Sequence, residues 1–157
     1  MRKVTLLIAG ILSLIAVSSA SAGDPATSGS VALSTHKAGA ARVALTISLR
    51  TELQCGRLVG ARALVLTLPA KERVPRSIAA DAVLIGSKAA GRVSVAGHVI
   101  TISPAPPRGM LCDSIKVGVA KVSILPAAGL GNPKATGAYM ARLTHGSDSW
   151  VLPLRIQ

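Results

Sequence analysis

Large rings are almost missing from this chain. It has no phenylalanine, one tyrosine (Tyr139) and one tryptophan (Trp150). Serial stacking of bases needs several aromatic side chains, so nucleic acid is not an expected partner. The interior must instead be filled by Val, Ile, Leu and Ala, and β-branched residues suit a pleated, half-buried surface. Acidic residues are scarce as well, with 6 Asp and Glu against 18 Lys and Arg. Asp24, Glu52, Glu72, Asp81, Asp113 and Asp148 stand singly, and no spacing among them selects a general acid/base pair. Glycine-rich phosphate loops and the GxSxG nucleophile turn are both absent. His145, Ser147 and Asp148 contain the residue types of a hydrolytic triad, but neighbours on one turn cannot supply its geometry. These absences lead to the expectation of a non-enzymatic protein with no catalytic residues and no cofactor.

What is present starts at the N-terminus. Arg2 and Lys3 precede an apolar run from Val4 to Val17, and Ala20-Ser21-Ala22 follows. That order is the charged start, hydrophobic middle and small-residue cleavage site of a secretory signal peptide. The run is short of the roughly 20 apolar residues of a membrane span. Cleavage after Ala22 is predicted, leaving a chain from Gly23 to Gln157 without a transmembrane segment. Residues 1–22 are thus read as signal peptide, 23–30 (GDPATSGS) as a flexible leader and 31–157 as one domain. The full chain carries +12, and loss of the charges of Arg2 and Lys3 leaves +10. Positive residues are spread singly, which favours attraction to anionic surfaces in general. Cys55 and Cys112 form an even pair in an exported domain, where a structural disulfide is the expected state. Neither thiol has the neighbours of a reactive or metal-bound cysteine.

Hydrophobicity along the domain has a period of two. Val43, Leu45, Ile47 and Leu49 alternate with Ala44, Thr46, Ser48 and Arg50, and Leu64, Leu66 and Leu68 repeat the pattern. Further strands are predicted over Ala82–Ile85, Arg92–Val95, Val99–Ile102, Ser114–Val119, Lys121–Leu125, Gly137–Thr144 and Trp150–Ile156. Ala96-Gly97-His98 predicts a tight hairpin and His145 to Ser149 a looser one, while Pro153 marks the last strand as an edge or a bulge. Many short strands with frequent turns imply an all-β, antiparallel, immunoglobulin-like β-sandwich.

Four segments in order carry a family likeness. Val31-Ala32-Leu33-Ser34 precedes the first alternating strand, and Ala63 to Pro69 leads into Val74-Pro75-Arg76-Ser77-Ile78. Val99-Ile100-Thr101-Ile102-Ser103-Pro104 follows, then Ala128-Gly129-Leu130-Gly131-Asn132-Pro133 with Gly137-Ala138-Tyr139. Together they resemble the immunoglobulin-like module of bacterial exported and surface-layer-associated proteins. The resemblance implies an extracytoplasmic sandwich of structural or adhesive type. Departures from that pattern are the cysteine pair, the solitary domain, and Arg or Lys where such modules often carry acids. They argue against a calcium-binding or repeat-array role.

Candidate binding residues are few. Tyr139 and Trp150 lie on consecutive predicted strands and, as neighbours across a hairpin, would present a stacking surface for sugars. Core packing is the competing fate of the only two large rings. Arg142 and Arg155, on the same two strands, add positive charge. Met110, Cys112, His36, His98 and His145 are possible soft metal ligands, but Asp113 to Ala120 lacks the His and Met that follow the cysteine of a blue-copper site. No metal is expected, and the three histidines are read as exposed loop residues. The resulting expectation is an exported envelope module held partly by charge to anionic envelope polymers or surface proteins. The alternative is a secreted binding protein for a specific host macromolecule, glycan or metal ion.

Overall fold

Alternating side chains do build two antiparallel sheets. The computed structural model describes residues 29–50, 63–105, 119–146 and 148–157. Among these are ten strands: β1 (Gly29–Leu33), β2 (Leu45–Arg50), β3 (Leu64–Thr67), β4 (Val83–Ile85), β5 (Lys88–Ala89), β6 (Arg92–Ala96), β7 (Val99–Ser103), β8 (Val119–Ile124), β9 (Gly137–His145) and β10 (Asp148–Ile156). The first sheet runs β1-β2-β8-β4-β5 and the second β10-β9-β3-β7-β6. The chain is an all-β antiparallel sandwich, and it passes from sheet to sheet repeatedly instead of completing one before starting the other.

Period-two patterning sets each strand's facing. Leu45, Ile47 and Leu49 of β2 are buried, as are Val122 and Ile124 of β8 beside them. From the second sheet come Leu64, Leu66, Ile100, Ile102, Leu143, Leu152 and Leu154. Trp150, 1% exposed, is the one large ring in this otherwise aliphatic core. Removing such a side chain from water stabilises the fold by about 1.5–3 kcal/mol per Leu, Ile or Val. Where β1 and β10, the edges of the two sheets, approach each other, Gly29 leaves the necessary room. A Cβ there would come within 2.7 Å of Leu152 Cδ2 and 3.2 Å of Leu49 Cδ2.

Turn chemistry agrees with the sequence at β6–β7. Ala96 pairs with Val99, leaving Gly97-His98 as a two-residue turn with Gly97 at φ +60°. Positive φ at the first central position is what a II′ hairpin turn asks for. The β9–β10 connection is tighter than expected, because His145 pairs with Asp148 and only two residues join the strands. Pro153 sits on an edge strand, where its missing N–H removes no ladder bond. Gly29 and Ser30, expected to end a flexible leader, belong instead to β1 and pair with Leu49 and Ser48, while residues 23–28 lie outside the described residues. Small, polar residues can join a ladder when the partner strand supplies the apolar side chains.

The sandwich has two dissimilar ends. Residues 34–44, 68–79 and 125–136 gather at one, with the C-terminus of β10. Arg50, Leu64, Ser103 and Val119 lie at the other, the strand ends that flank residues 51–62 and 106–118. Cys55 and Cys112, like the predicted strand over residues 114–118, fall outside the described residues. No helix among the described residues is long and apolar enough to cross a membrane.

Candidate interaction surface

The four residues singled out from sequence divide between the inside and the outside of the second sheet. Trp150 faces inward and is buried, so it offers no stacking surface to a ligand. Tyr139 also points inward, half-buried against the core, and its hydroxyl donates to the Ala135 carbonyl at 2.9 Å. The two rings are not cross-strand partners either. Trp150 pairs with Leu143, and Tyr139 with Leu154, four residues further along the ladder. A hairpin of two residues, instead of the looser loop expected, sets that register. Arg142 and Arg155 are exposed on the outer face, opposite Val151 and Ala138 respectively.

That outer face is built mainly of small side chains. One cross-strand row reads Ser149, Thr144, Val65, Thr101 and Ser94; the next reads Val151, Arg142, Thr67, Val99 and Ala96. Met140 and Val151 are its exposed large apolar side chains, 64% and 53% accessible. On the first sheet, Ser30, Ser48 and Lys121 form one outward row, and Ala32, Thr46, Ser123, Leu84 and Ala89 another. Small hydroxyl and methyl groups dominate both faces, with isolated cations among them.

Histidine placement also departs from expectation. His36 is exposed, and its Nδ1 donates to the Arg155 carbonyl at 2.7 Å. His145 is the last residue of β9 and is buried, its Nε2 without a partner among the described residues. His98 is half-buried in its hairpin turn. Strand alternation explains His145: it follows the inward series Ala141 and Leu143, so its ring enters the sandwich. Among the described residues, no three His, Cys, Asp or Glu side chains converge.

The most elaborate backbone organisation is at the end formed by residues 34–44, 68–79 and 125–136. Gly131 makes β-bridges to both Ala41 and Arg73. It exchanges two hydrogen bonds with Arg73, at 2.9 and 3.0 Å, and Val43 N–H donates to Leu130 O at 2.9 Å. Asn132 is fully buried. Its Nδ2 donates to the carbonyls of Thr35 and Lys37, both at 2.9 Å, while its N–H donates to Ala40 O at 2.9 Å. The final strand joins in, with Ala38 N–H donating to Gln157 O and Gln157 N–H to His36 O. In the sequence Asn132 stands out only as part of a motif segment, because a buried amide and an exposed one look alike until the partners are known. We call this end the stitched pole.

Charge at the stitched pole is almost all of one sign. Lys37, Arg42, Lys71, Arg73, Arg76 and Lys134 are exposed on its three segments. Its acids are Asp81, exposed at its margin, and Glu72, which is 4% exposed. Burial pushes the Glu72 carboxyl up to about 7, and its Oε2 has no partner among the described residues. Near neutrality Glu72 is therefore partly uncharged and offsets the surrounding cations incompletely.

No family model matches the chain, and no curated protein matches it. Among solved structures it is similar to the bacterial hydrophobin BslA, with a TM-score of 0.48 and 15% identity over 83% of this chain and 98% of that one. It is also similar to the N-terminal domain of the Streptococcus gordonii adhesin Sgo0707, with a TM-score of 0.48 and 10% identity over 82% of this chain and 32% of that one.

Proposed function

We propose that this protein is an exported, non-enzymatic structural or adhesion module of the cell envelope, held to anionic polymers partly by positive charge. The observation that carries this reading is the exposure of eleven described lysines and arginines, against Asp81 as the exposed acid. Such an imbalance creates a positive potential over the whole domain and draws it to polyanions without a shaped pocket. Burial of Trp150 removes the aromatic platform on which selective sugar binding would rest. The export signal supplies the compartment in which envelope polymers are met.

The test is retention of the purified protein on envelope fractions across a salt series. Exposed charge is screened over about 10 Å at 0.1 M salt and about 3 Å at 1 M, so retention falls steeply between them. Recovery of the cell-derived protein outside the cytoplasm with Gly23 at its N-terminus completes the expected result. Binding to one envelope component that is indifferent to salt refutes charge-driven attachment.

A further inference from the structure

We propose that the stitched pole is a preorganised binding site for a polyanion, a polymer carrying phosphate or carboxylate groups at repeated intervals. This deepens the proposed function and rests on it, by placing attachment at one end of the sandwich and not over its whole surface. The starting point is the bridge Ala41–Gly131–Arg73. Paired backbones lie about 5 Å apart, so Arg42, next to Ala41, and Arg73 rise from positions about 10 Å apart on either side of Gly131. A sequence separation of 31 residues thus becomes roughly one screening length at 0.1 M salt.

Two local features hold these arginines in place. Arg42 has φ +55°, the only non-glycine residue with positive φ among the described residues. Left-handed backbone at such a residue costs on the order of 1 kcal/mol and persists where surrounding bonds determine it. Here the Ala41 bridge before it and the Val43 hydrogen bond after it do so. Arg73 lies across Gly131: a Cβ there would fall 2.8 Å from both Nε and Nη2, and 2.9 Å from Ala40 O. Glycine is the residue that lets a guanidinium rest on that backbone. A guanidinium already ordered loses less freedom when it meets an anion.

Lys37, Lys71, Arg76 and Lys134 are exposed on the same hydrogen-bonded segments. A small anion is not the fitting ligand, since Arg42 and Arg73 rise from backbone positions about 10 Å apart. An extended polymer can meet several at once. A lipid surface fits less well, because the exposed large apolar side chains, Met140 and Val151, are on the β9–β10 face and not on the pole.

Two sets of variants with equal loss of charge separate the pole from diffuse attraction. The pole set is Arg42→Asn, Arg73→Gln and Lys134→Gln; asparagine tolerates positive φ at position 42. The face set is Lys121→Gln, Arg142→Gln and Arg92→Gln, at residues exposed on strands outside the pole segments. A second pole set, Lys37→Gln, Lys71→Gln and Arg76→Gln, spares Arg42 and Arg73 and serves if the first fails to fold by circular dichroism. Binding is measured to inorganic polyphosphate, to polyglutamate, and to phosphatidylglycerol vesicles. The pole sets are expected to weaken both polymers by about tenfold or more, as loss of several phosphate or carboxylate contacts requires, and the face set by less than about threefold. Equal losses in pole and face sets overturn the pole while leaving charge-driven attachment intact. Vesicle binding that outlasts the pole changes but not the face changes assigns the ligand to membrane and also overturns it. Failure of the unaltered protein to hold any polyanion or envelope fraction at low salt refutes the functional reading itself.

Discussion

Replacing Glu72 by glutamine should make the protein more stable at neutral and alkaline pH, and the gain should vanish in acid. Glu72 is buried, its Oε2 meets no partner among the described residues, and burial moves its carboxyl from 4.5 up to about 7. Folding therefore favours the protonated form. Stability from this group is fully present below about pH 4.5, declines as pH rises, and is lost above about 7. At 1.36 kcal/mol per pKa unit, the shift corresponds to a loss of about 3 kcal/mol across that window. Glutamine has no proton to release, so its variant lacks this slope. Urea unfolding from pH 4 to 8.5, followed through the single buried tryptophan, measures both proteins under identical conditions. Subtracting the curves removes titrations common to the two. The difference should grow by about 2–3 kcal/mol from pH 4 to pH 8 in favour of Glu72→Gln. Parallel curves would show that the carboxyl is solvated in the folded protein and that burial does not govern its ionisation.

Two further outcomes test the stitching and the cysteines. Asn132→Ala removes the donors to Thr35 and Lys37 and leaves two carbonyls without their partner, so a loss of about 2–4 kcal/mol is expected, with faster amide exchange at Ala38 and Gly39; unchanged exchange there would contradict the staple role. We further expect Cys55 and Cys112 to be bonded, since the strand ends nearest each, Arg50 and Val119, are paired at one pole. Intact mass two hydrogens below the reduced value, and a loss of about 4 kcal/mol on reduction, are the expected readings; alkylation of both thiols in the native, unreduced protein would rule the bridge out.

Local patterning made the layers legible. The buried set Leu45, Ile47 and Leu49, and the alternating series through β10, follow from side chains that point to opposite faces at successive positions. The turn at Gly97 was readable for a similar reason, because a two-residue hairpin demands unusual backbone angles of its first residue. Harder to read were β1 and β5. Gly29 and Ser30 carry no strand signal of their own, and the β5 ladder is two residues long. Tyr139 and Trp150 do lie on consecutive strands, but at different distances from the turn, so neither the expected nor the observed turn length makes them partners. Register decides which residues meet, and one turn decides register. Arg142 and Arg155 were correctly placed on two adjacent strands, but their exposure on the face opposite the core depends on the same register.

The clustering of cations at the stitched pole had no sequence signature, and the reason bears on what the protein can do. Lys37, Arg42, Lys71, Arg73, Arg76 and Lys134 look isolated along the chain. Topology collects them on three segments, and hydrogen bonds from Gly131 and Asn132, which involve no charged side chain, tie those segments together. On the outer sheet face, by contrast, Arg142 and Arg155 are separated by four ladder positions, about 13 Å at the usual rise per residue. That exceeds the screening length of about 8 Å at physiological salt, so each acts nearly alone there. Arg42 and Arg73 rise from positions about 10 Å apart, so the screening between them is weaker than across the face, and neither can drift away on a free loop. With most large apolar residues committed to an aliphatic core, the cations are most effectively concentrated where the loops are tied. Salt should therefore weaken the face contacts first and the pole contacts last.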